Sequence, residues 1–254
     1  MAERWPKRLW VVRHGQSAGN VARDLAEAGR LPRIDIADRD VDVPLSQQGE
    51  DQACALGHWF AAMAEAERPE VVLTSPYLRA RRTADIMRDC GGFSSQARRP
   101  VPDERLREKE FGILDRMTRA GIEAQFPDQA EYRRLLGKFY HRPPGGESWC
   151  DVILRLRSAL DTLSLHHAGK RVLIVTHQVV VLCLRYLLEE LTETEILAID
   201  SKGDVANCSV TEYLLDPSDG SNGCLLLDRY NFTAQLERQG ASVTREPDAP
   251  VAAR

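Results

Sequence analysis

The chain has 254 residues, of which 43% are hydrophobic and 28% charged, and its formal net charge is −4. Such a chain buries most of its apolar surface in a globular fold without covalent staples, which excludes the collagenous, disordered and disulfide-scaffold classes. The small acidic excess gives no general attraction to nucleic acid or to an anionic membrane, so neither is expected as a partner.

The opening MAERWPKRLW has no apolar h-region and no small-residue cleavage site, so no signal peptide is expected. Residues 9–12 (LWVV) are a short apolar run, expected as a buried strand that delivers Arg13 and His14 at its end. Ser46 caps an expected helix over 46–64, where Ala53, Leu56, Trp59, Phe60 and Met63 recur at helical spacing. Residues 70–75 (EVVLTS) read as a second strand, and Pro76 opens a helix over 77–89. Ser148 with Asp151 is a capping-box pattern at the start of a long helix over 148–166. Residues 171–176 (RVLIVT) are a third buried strand, followed by a helix over 178–191. Thr192 with Glu195 opens one more helix, and 207–215 alternates enough for a strand near the sheet edge. Strands alternating with helices imply a three-layer α/β/α sandwich with a largely parallel central sheet.

Two segments break the alternation. Residues 21–44 are a long charged excursion, and 112–147 mix Gly, Pro, aromatics and cations. Both are expected as lobes over the crevice of a single domain spanning 1–233. The polar stretch 234–254 is expected as a loosely ordered tail. The longest apolar run, 172–188, is interrupted by Thr176, His177, Gln178 and Arg185, so it is too polar to span a membrane. The cysteines, Cys54, Cys90, Cys150, Cys183, Cys208 and Cys224, form no CxxC pair. They read as reduced, mostly buried thiols in a reducing, cytoplasmic compartment, with a zinc site as the alternative.

In open α/β sheets, ligands sit beyond the carboxyl ends of the strands. Three of the expected strands end in polar residues: Arg13-His14, Thr74-Ser75 and Thr176-His177. If the strands are neighbours, these residues share one crevice. There an imidazole can attack a phosphoryl group, guanidinium forks can neutralise its oxygens, and a carboxylic acid can protonate the leaving alkoxide. With enough fixed cations the chemistry calls for no metal and no cofactor. Each part is present. Gln16, Ser17 and Asn20 follow His14 on the next turn, and Arg79 lies in the first turns of the 77–89 helix. Arg81 and Arg82 are offset around that helix. Glu108 lies in LREKEFG, and His177 stands at the third strand end.

Five motifs in order, RHGQSxxN, SPYLRARRTA, LREKEFG, PGGES and VTHQ, resemble those of the histidine phosphatase superfamily. This family is also called phosphoglycerate-mutase-like, and the resemblance runs from about residue 9 to about residue 215. It implies the phosphoglycerate-mutase-like fold. It implies that His14 is the nucleophile that becomes phosphohistidine, and that Arg13, Asn20, Arg79 and His177 bind the phosphoryl group. Glu108 would protonate the leaving group and then activate water. Glu110 is the competing carboxylate, and the spacing to Phe111-Gly112 favours Glu108. Gln178 stands where many members have Gly, as in fructose-2,6-bisphosphatases. Taken singly, His14 and His177 read as structural histidines, and Arg79 and Glu108 as surface residues. Asn20 could simply cap a local turn. Glu147 in PGGES could orient its loop or contact arginines. His58, His141, His166 and His167 have no motif support.

The family divides into mutases, which return the phosphoryl group to the substrate, and phosphatases, which give it to water. The interval 21–44 is longer than the loop of cofactor-dependent mutases, whose paired arginines and proline-rich segment are not evident here. FYHRPPGGES looks most like a subgroup of broad-range acid phosphatases. The resemblance therefore implies a metal-independent phosphomonoesterase acting on small phosphorylated metabolites, with a mildly acidic optimum. A phosphoglycerate mutase, a sugar-bisphosphatase (suggested by THQVVVLCLRYLL) and an inactive phospholigand-binding protein are the alternatives. The complete residue set counts against the last. Arg116, Arg119, Arg133, Arg134, Lys138 and Arg142 read mainly as a solvated lobe that could attract an anion. Phe139, Tyr140 and His141 are expected at the pocket mouth. Nothing in the sequence bears on oligomeric state.

Overall fold

The computed structural model describes residues 4–218 and 223–245. Its centre is a six-stranded sheet in the order β3-β2-β4-β1-β5-β6. The strands are β1 (Arg8–Arg13), β2 (Val71–Thr74), β3 (Val101–Pro102), β4 (Arg171–Thr176), β5 (Val210–Asp216) and β6 (Cys224–Phe232). The first four are mutually parallel, while β5 and β6 add an antiparallel edge.

Successive side chains of a strand face opposite sides of the sheet, and here both sides are dry. Leu9, Val11, Val172 and Ile174 pack into one apolar cluster, and Trp10, Val12, Leu173 and Val175 into another. The first cluster is covered by α6 (Trp149–His166) and α7 (Gln178–Leu188), the second by α2 (Gln47–Ala61) and α3 (Leu78–Asp89). The result is the expected three-layer α/β/α sandwich. Doubly buried strands explain why the sequence shows unbroken apolar runs instead of alternation.

Local chemistry sets the boundaries. Ser46 accepts from Gly49 N–H and starts α2, and the Ser148–Asp151 and Thr192–Glu195 capping boxes start α6 and α8 (Glu193–Ser201). Pro76 lies just outside α3, whose N-cap is Tyr77. α7 stops at Leu188, earlier than the sequence suggests, because the chain turns through Glu190 at φ 51°. β5 begins at Val210 because Cys208 sits at φ 52° in a tight turn. β5 lies next to the sheet edge, as expected, and β6, which the sequence did not reveal, forms that edge.

The two excursions pack on each other. The first contains α1 (Ala18–Ala28) and a 3-10 turn over Asp40–Asp42. The second contains α4 (Arg119–Gln125) and α5 (Pro127–Tyr140) around a small cluster of Leu114, Met117 and Ile122. Ile34 N–H donates to Arg116 O at 2.9 Å, and Thr118 Oγ1 donates to Leu31 O at 2.5 Å.

Two expectations are corrected. Cys54 and Cys90 form a disulfide, so not every cysteine is a thiol; Cys150, Cys183 and Cys208 are. The partners are 36 residues apart in sequence, and only the packing of α2 on α3 brings them together. The stretch after 233 does not begin as a loose tail. It forms α9 (Ala234–Arg238) with Gln235 and Leu236 fully buried, and then docks on the sheet end. Gln52 Nε2 donates to Ser242 O and to Thr244 Oγ1, both at 2.9 Å. Asn207 N–H donates to Thr244 O at 3.0 Å, and Thr244 Oγ1 donates to Asn207 Oδ1 at 2.9 Å. Residues 246–254 lie outside the described residues. Among the described residues, no helix is long and apolar enough to cross a membrane.

Removing a hydroxyl that satisfies buried amides costs about 1–3 kcal/mol. Thr244→Val should therefore lower the urea midpoint with an unchanged m-value. A midpoint equal to wild type would show that the 242–244 segment contributes nothing to the fold.

Candidate active site

The β1–β4 register places Arg13 opposite Thr176, so Arg13-His14 and Thr176-His177 leave the sheet side by side. The backbone there is held from both sides. His14 N–H donates to Thr176 O at 2.9 Å, and Cys208 N–H donates to Arg13 O at 3.0 Å. Asn207 Nδ2 donates to His14 O at 3.0 Å. Gly15 follows at a close crossing with α2, where an added Cβ would lie 2.4 Å from Gly49 O. Its N–H donates to Thr83 Oγ1 at 3.1 Å. Arg13, His14 and His177 are fully buried, and Arg79 is nearly so.

His14 Nδ1 lies 2.7 Å from Gly15 O. A carbonyl only accepts, so Nδ1 carries the proton and Nε2 keeps its lone pair. Arg79 Nε donates toward that Nε2 at 3.2 Å. The His177 ring stands 5.0 Å from the His14 ring, edge to face, and its Nε2 is 2.7 Å from Ser75 Oγ. Tyr77 closes the group, with its ring 5.0 Å from His177 and under the Arg79 guanidinium at 4.9 Å. Burial, reinforced by Asp40 and Glu110, raises the Tyr77 hydroxyl well above its ordinary range, so it stays protonated. It donates to Glu110 Oε1 at 2.9 Å. A neutral imidazole beside buried guanidiniums suits attack on an electrophile whose oxygens carry negative charge.

Glu108 is buried on the loop after the 3-10 turn Glu104–Leu106, and its Oε1 accepts from Lys109 N–H at 2.7 Å. Glu110 is exposed and engaged by Tyr77. The loop is anchored where Thr176 Oγ1 donates to Leu106 O at 2.8 Å, next to His177. Glu147 does both things the sequence left open. Its carboxylate accepts from Glu110 N–H at 3.0 Å and pairs with Arg107 at 2.8 Å and Arg155 at 3.0 Å. Those cations hold the Glu147 carboxyl below its usual range despite partial burial. Asn20 does cap the local turn. It forms a capping box with Ser17, whose N–H donates to Asn20 Oδ1 at 2.9 Å. Asn20 also lines the same cleft as Arg79.

The first excursion reaches the site directly. Arg79 Nη1 donates to Asp40 O at 2.6 Å and to Asp40 Oδ1 at 2.9 Å. The cleft beside them is lined by Asn20, Arg23, Asp40, Arg79, Phe111 and Arg116. Phe111 separates it from a smaller recess lined by Lys109, Arg133 and His141. Burial and the Arg133 charge push the Lys109 ammonium down to about 8, so it is still a cation at neutral pH. Burial, with Arg133 and Lys109, pushes His141 down to about 4, so it is neutral there. Of the other lobe cations, Arg119 pairs with Glu123, Arg134 with Glu131, Lys138 with Asp200 and Arg142 with Asp151. Phe139 belongs to the core against Trp149, not to a pocket mouth.

The structure thus gathers Arg13, His14, Arg79 and His177 at one strand-end crevice, with Asn20 on its wall and Glu108 on the adjoining loop. Sequence reasoning did not find Asp40, Tyr77, Asn207, Gln52 or Thr244. Only Tyr77, inside the SPYLRARRTA motif, carried a usable signal.

A model of the histidine phosphatase superfamily (branch 1) matches residues 9–225. A probable phosphoglycerate mutase GpmB of Yersinia enterocolitica is 31% identical over 179 residues, which cover 70% of this chain and 72% of the relative. A 6-phosphofructo-2-kinase/fructose-2,6-bisphosphatase of Caenorhabditis elegans is 30% identical over 85% of this chain and 43% of its own length. Among solved structures, YhfR of Bacillus stearothermophilus superposes with a TM-score of 0.69 at 26% identity, covering 90% of this chain and 98% of that one. A mycobacterial glucosyl-3-phosphoglycerate phosphatase complexed with VO3 gives 0.66 at 25% identity, covering 89% of this chain and 100% of that one. The chain belongs to the histidine phosphatase superfamily.

Proposed function

We propose that the protein is a phosphomonoesterase that hydrolyses small phosphorylated metabolites through a phosphohistidine on His14. The observation that carries this reading is the neutral His14 Nε2 facing Arg79 among buried cationic and imidazole groups. In the first step Nε2 attacks phosphorus and the ester P–O bond breaks. Glu108 gives its proton to the departing oxygen. Arg13, Arg79, His177 and Asn20 hold the phosphoryl oxygens. In the second step Glu108, now a carboxylate, takes a proton from water as the water oxygen attacks phosphorus. The N–P bond breaks, phosphate leaves and His14 is restored. No metal or cofactor enters either step.

Hydrolysis over phosphoryl return is favoured by the 21–44 segment, which folds as a helix and a 3-10 turn and puts Asp40 on Arg79. The structural likeness to a glucosyl-3-phosphoglycerate phosphatase supports the same choice. The mutase reading rests on relatives named as probable phosphoglycerate mutases. A panel of phosphomonoesters beside 3-phosphoglycerate, with and without 2,3-bisphosphoglycerate, separates the two. We expect release of inorganic phosphate from several esters with chelator present, and no net isomerisation. Bisphosphate-dependent isomerisation without phosphate release would replace the hydrolase by a mutase.

Turnover starts from protonated Glu108 and neutral His14, so kcat should peak at mildly acidic pH and fall on the alkaline side. Glu108→Gln should flatten that alkaline limb and slow alkyl phosphates far more than aryl phosphates, whose leaving groups need less protonation. Equal losses on both ester types would remove Glu108 from the acid role.

A further inference from the structure

One cluster of metal-ligating side chains stands apart from the crevice. Cys54 and His58 are four residues apart on α2, so they share one helix face. Cys90 is the residue that ends α3. The helices approach closely there because Gly57 has no side chain; an added Cβ would lie 2.8 Å from Cys90 Cβ. One donor atom from each of Cys54, His58 and Cys90 lies within 4.8 Å of the others, and Cys54 Sγ is 3.9 Å from His58 Nε2. The cysteines are half-buried and the histidine exposed, so all three can be reached from solvent.

With the cysteines joined as a disulfide, Cα to Cα 5.8 Å, the sulfurs are spent on each other. A disulfide gives no reason for an imidazole at its side. The dithiol form does. We propose that in the reduced protein Cys54, His58 and Cys90 form a binding site for a soft divalent cation of the zinc class. Two thiolates and an imidazole are the donor set that zinc prefers, and one that magnesium and calcium do not. Zinc holds such donors at about 2.0–2.3 Å, so modest rotations of the three side chains suffice to surround an ion. The fourth position faces solvent and takes water.

The two states exclude one another. A dithiol reductant breaks the Cys54–Cys90 bond, supplying two electrons and two protons, and leaves as its own disulfide. Metal binding then displaces the two thiol protons. The metal replaces the disulfide as the tie between α2 and α3. Cys90 lies eleven residues along α3 from Arg79, roughly 16 Å at 1.5 Å per residue, so the ion takes no part in phosphoryl transfer.

Cobalt(II) added alone to the full-length protein, reduced with a phosphine and desalted without oxygen, tests the site. The reduced protein should show a thiolate-to-cobalt charge-transfer band that saturates at a single equivalent and is bleached by zinc. Cys54→Ser and Cys90→Ser should lose the band, Cys150→Ser should keep it, and the oxidised protein should never develop it. Outer partners of metal ligands already contribute about 10–100-fold in affinity. Exposed His58, which can be removed without touching the core, should therefore cost at least that when changed to Ala. No thiolate band in the reduced wild type, or an undiminished band in Cys54→Ser or His58→Ala, would overturn the assignment.

Discussion

The contact on which the site depends is the 3.2 Å approach of Arg79 Nε to His14 Nε2. A guanidinium can only donate, so His14 must present a lone pair, and the Gly15 carbonyl takes the proton on the other nitrogen. One arginine and one carbonyl thus fix both the tautomer and the direction of the imidazole. The same arginine needs a counter-charge, because a buried cation without a partner is costly. Asp40 supplies it from the first excursion. In the proposed reaction the phosphoryl oxygens take over as partners of Arg79, so the lobe and the substrate compete for one guanidinium.

That contact is assembled by strand register. Arg13 lies opposite Thr176 in a parallel ladder, and a slip of one residue would turn His14 away from His177. Both strands are apolar on both faces, so packing on each side resists the slip. Thr176 then serves twice, accepting from His14 N–H and donating to the carbonyl that anchors the Glu108 loop. The acid loop and the nucleophile are therefore referred to the same strand end. Support also comes from the far end of the chain, where Thr244 holds Asn207 and Asn207 holds the His14 carbonyl.

What was legible in the sequence is what acts through side chains at strand and helix ends. The apolar runs before Arg13-His14 and Thr176-His177 declare buried strands, and capping residues declare α2, α6 and α8. What was hidden acts through backbone or through packing of distant segments. Asn207 bonds a main-chain carbonyl, so no motif marks it. Asp40 sits in a charged run where any of several carboxylates could have met Arg79. The 234–245 stretch looks too polar to dock, yet it docks by inserting Leu236 into the core, packing Ala241 and Val243 against it, and adding amide and hydroxyl hydrogen bonds, which hydropathy does not register. Cys54 and Cys90 meet only because Gly57 lets α3 approach. β6 mixes leucines with Asp, Arg and Asn, as an edge strand does, and this masks its period.

A covalent His14 intermediate is the central claim, and trapping it is the most direct test. Wild-type protein mixed with a radiolabelled phosphomonoester should be quenched in alkali within the first turnover, digested and mapped. The account predicts label on the peptide carrying His14, stable to alkali and lost in acid, forming before phosphate is released. Steady phosphate release with no label at His14 at any quench time would contradict it.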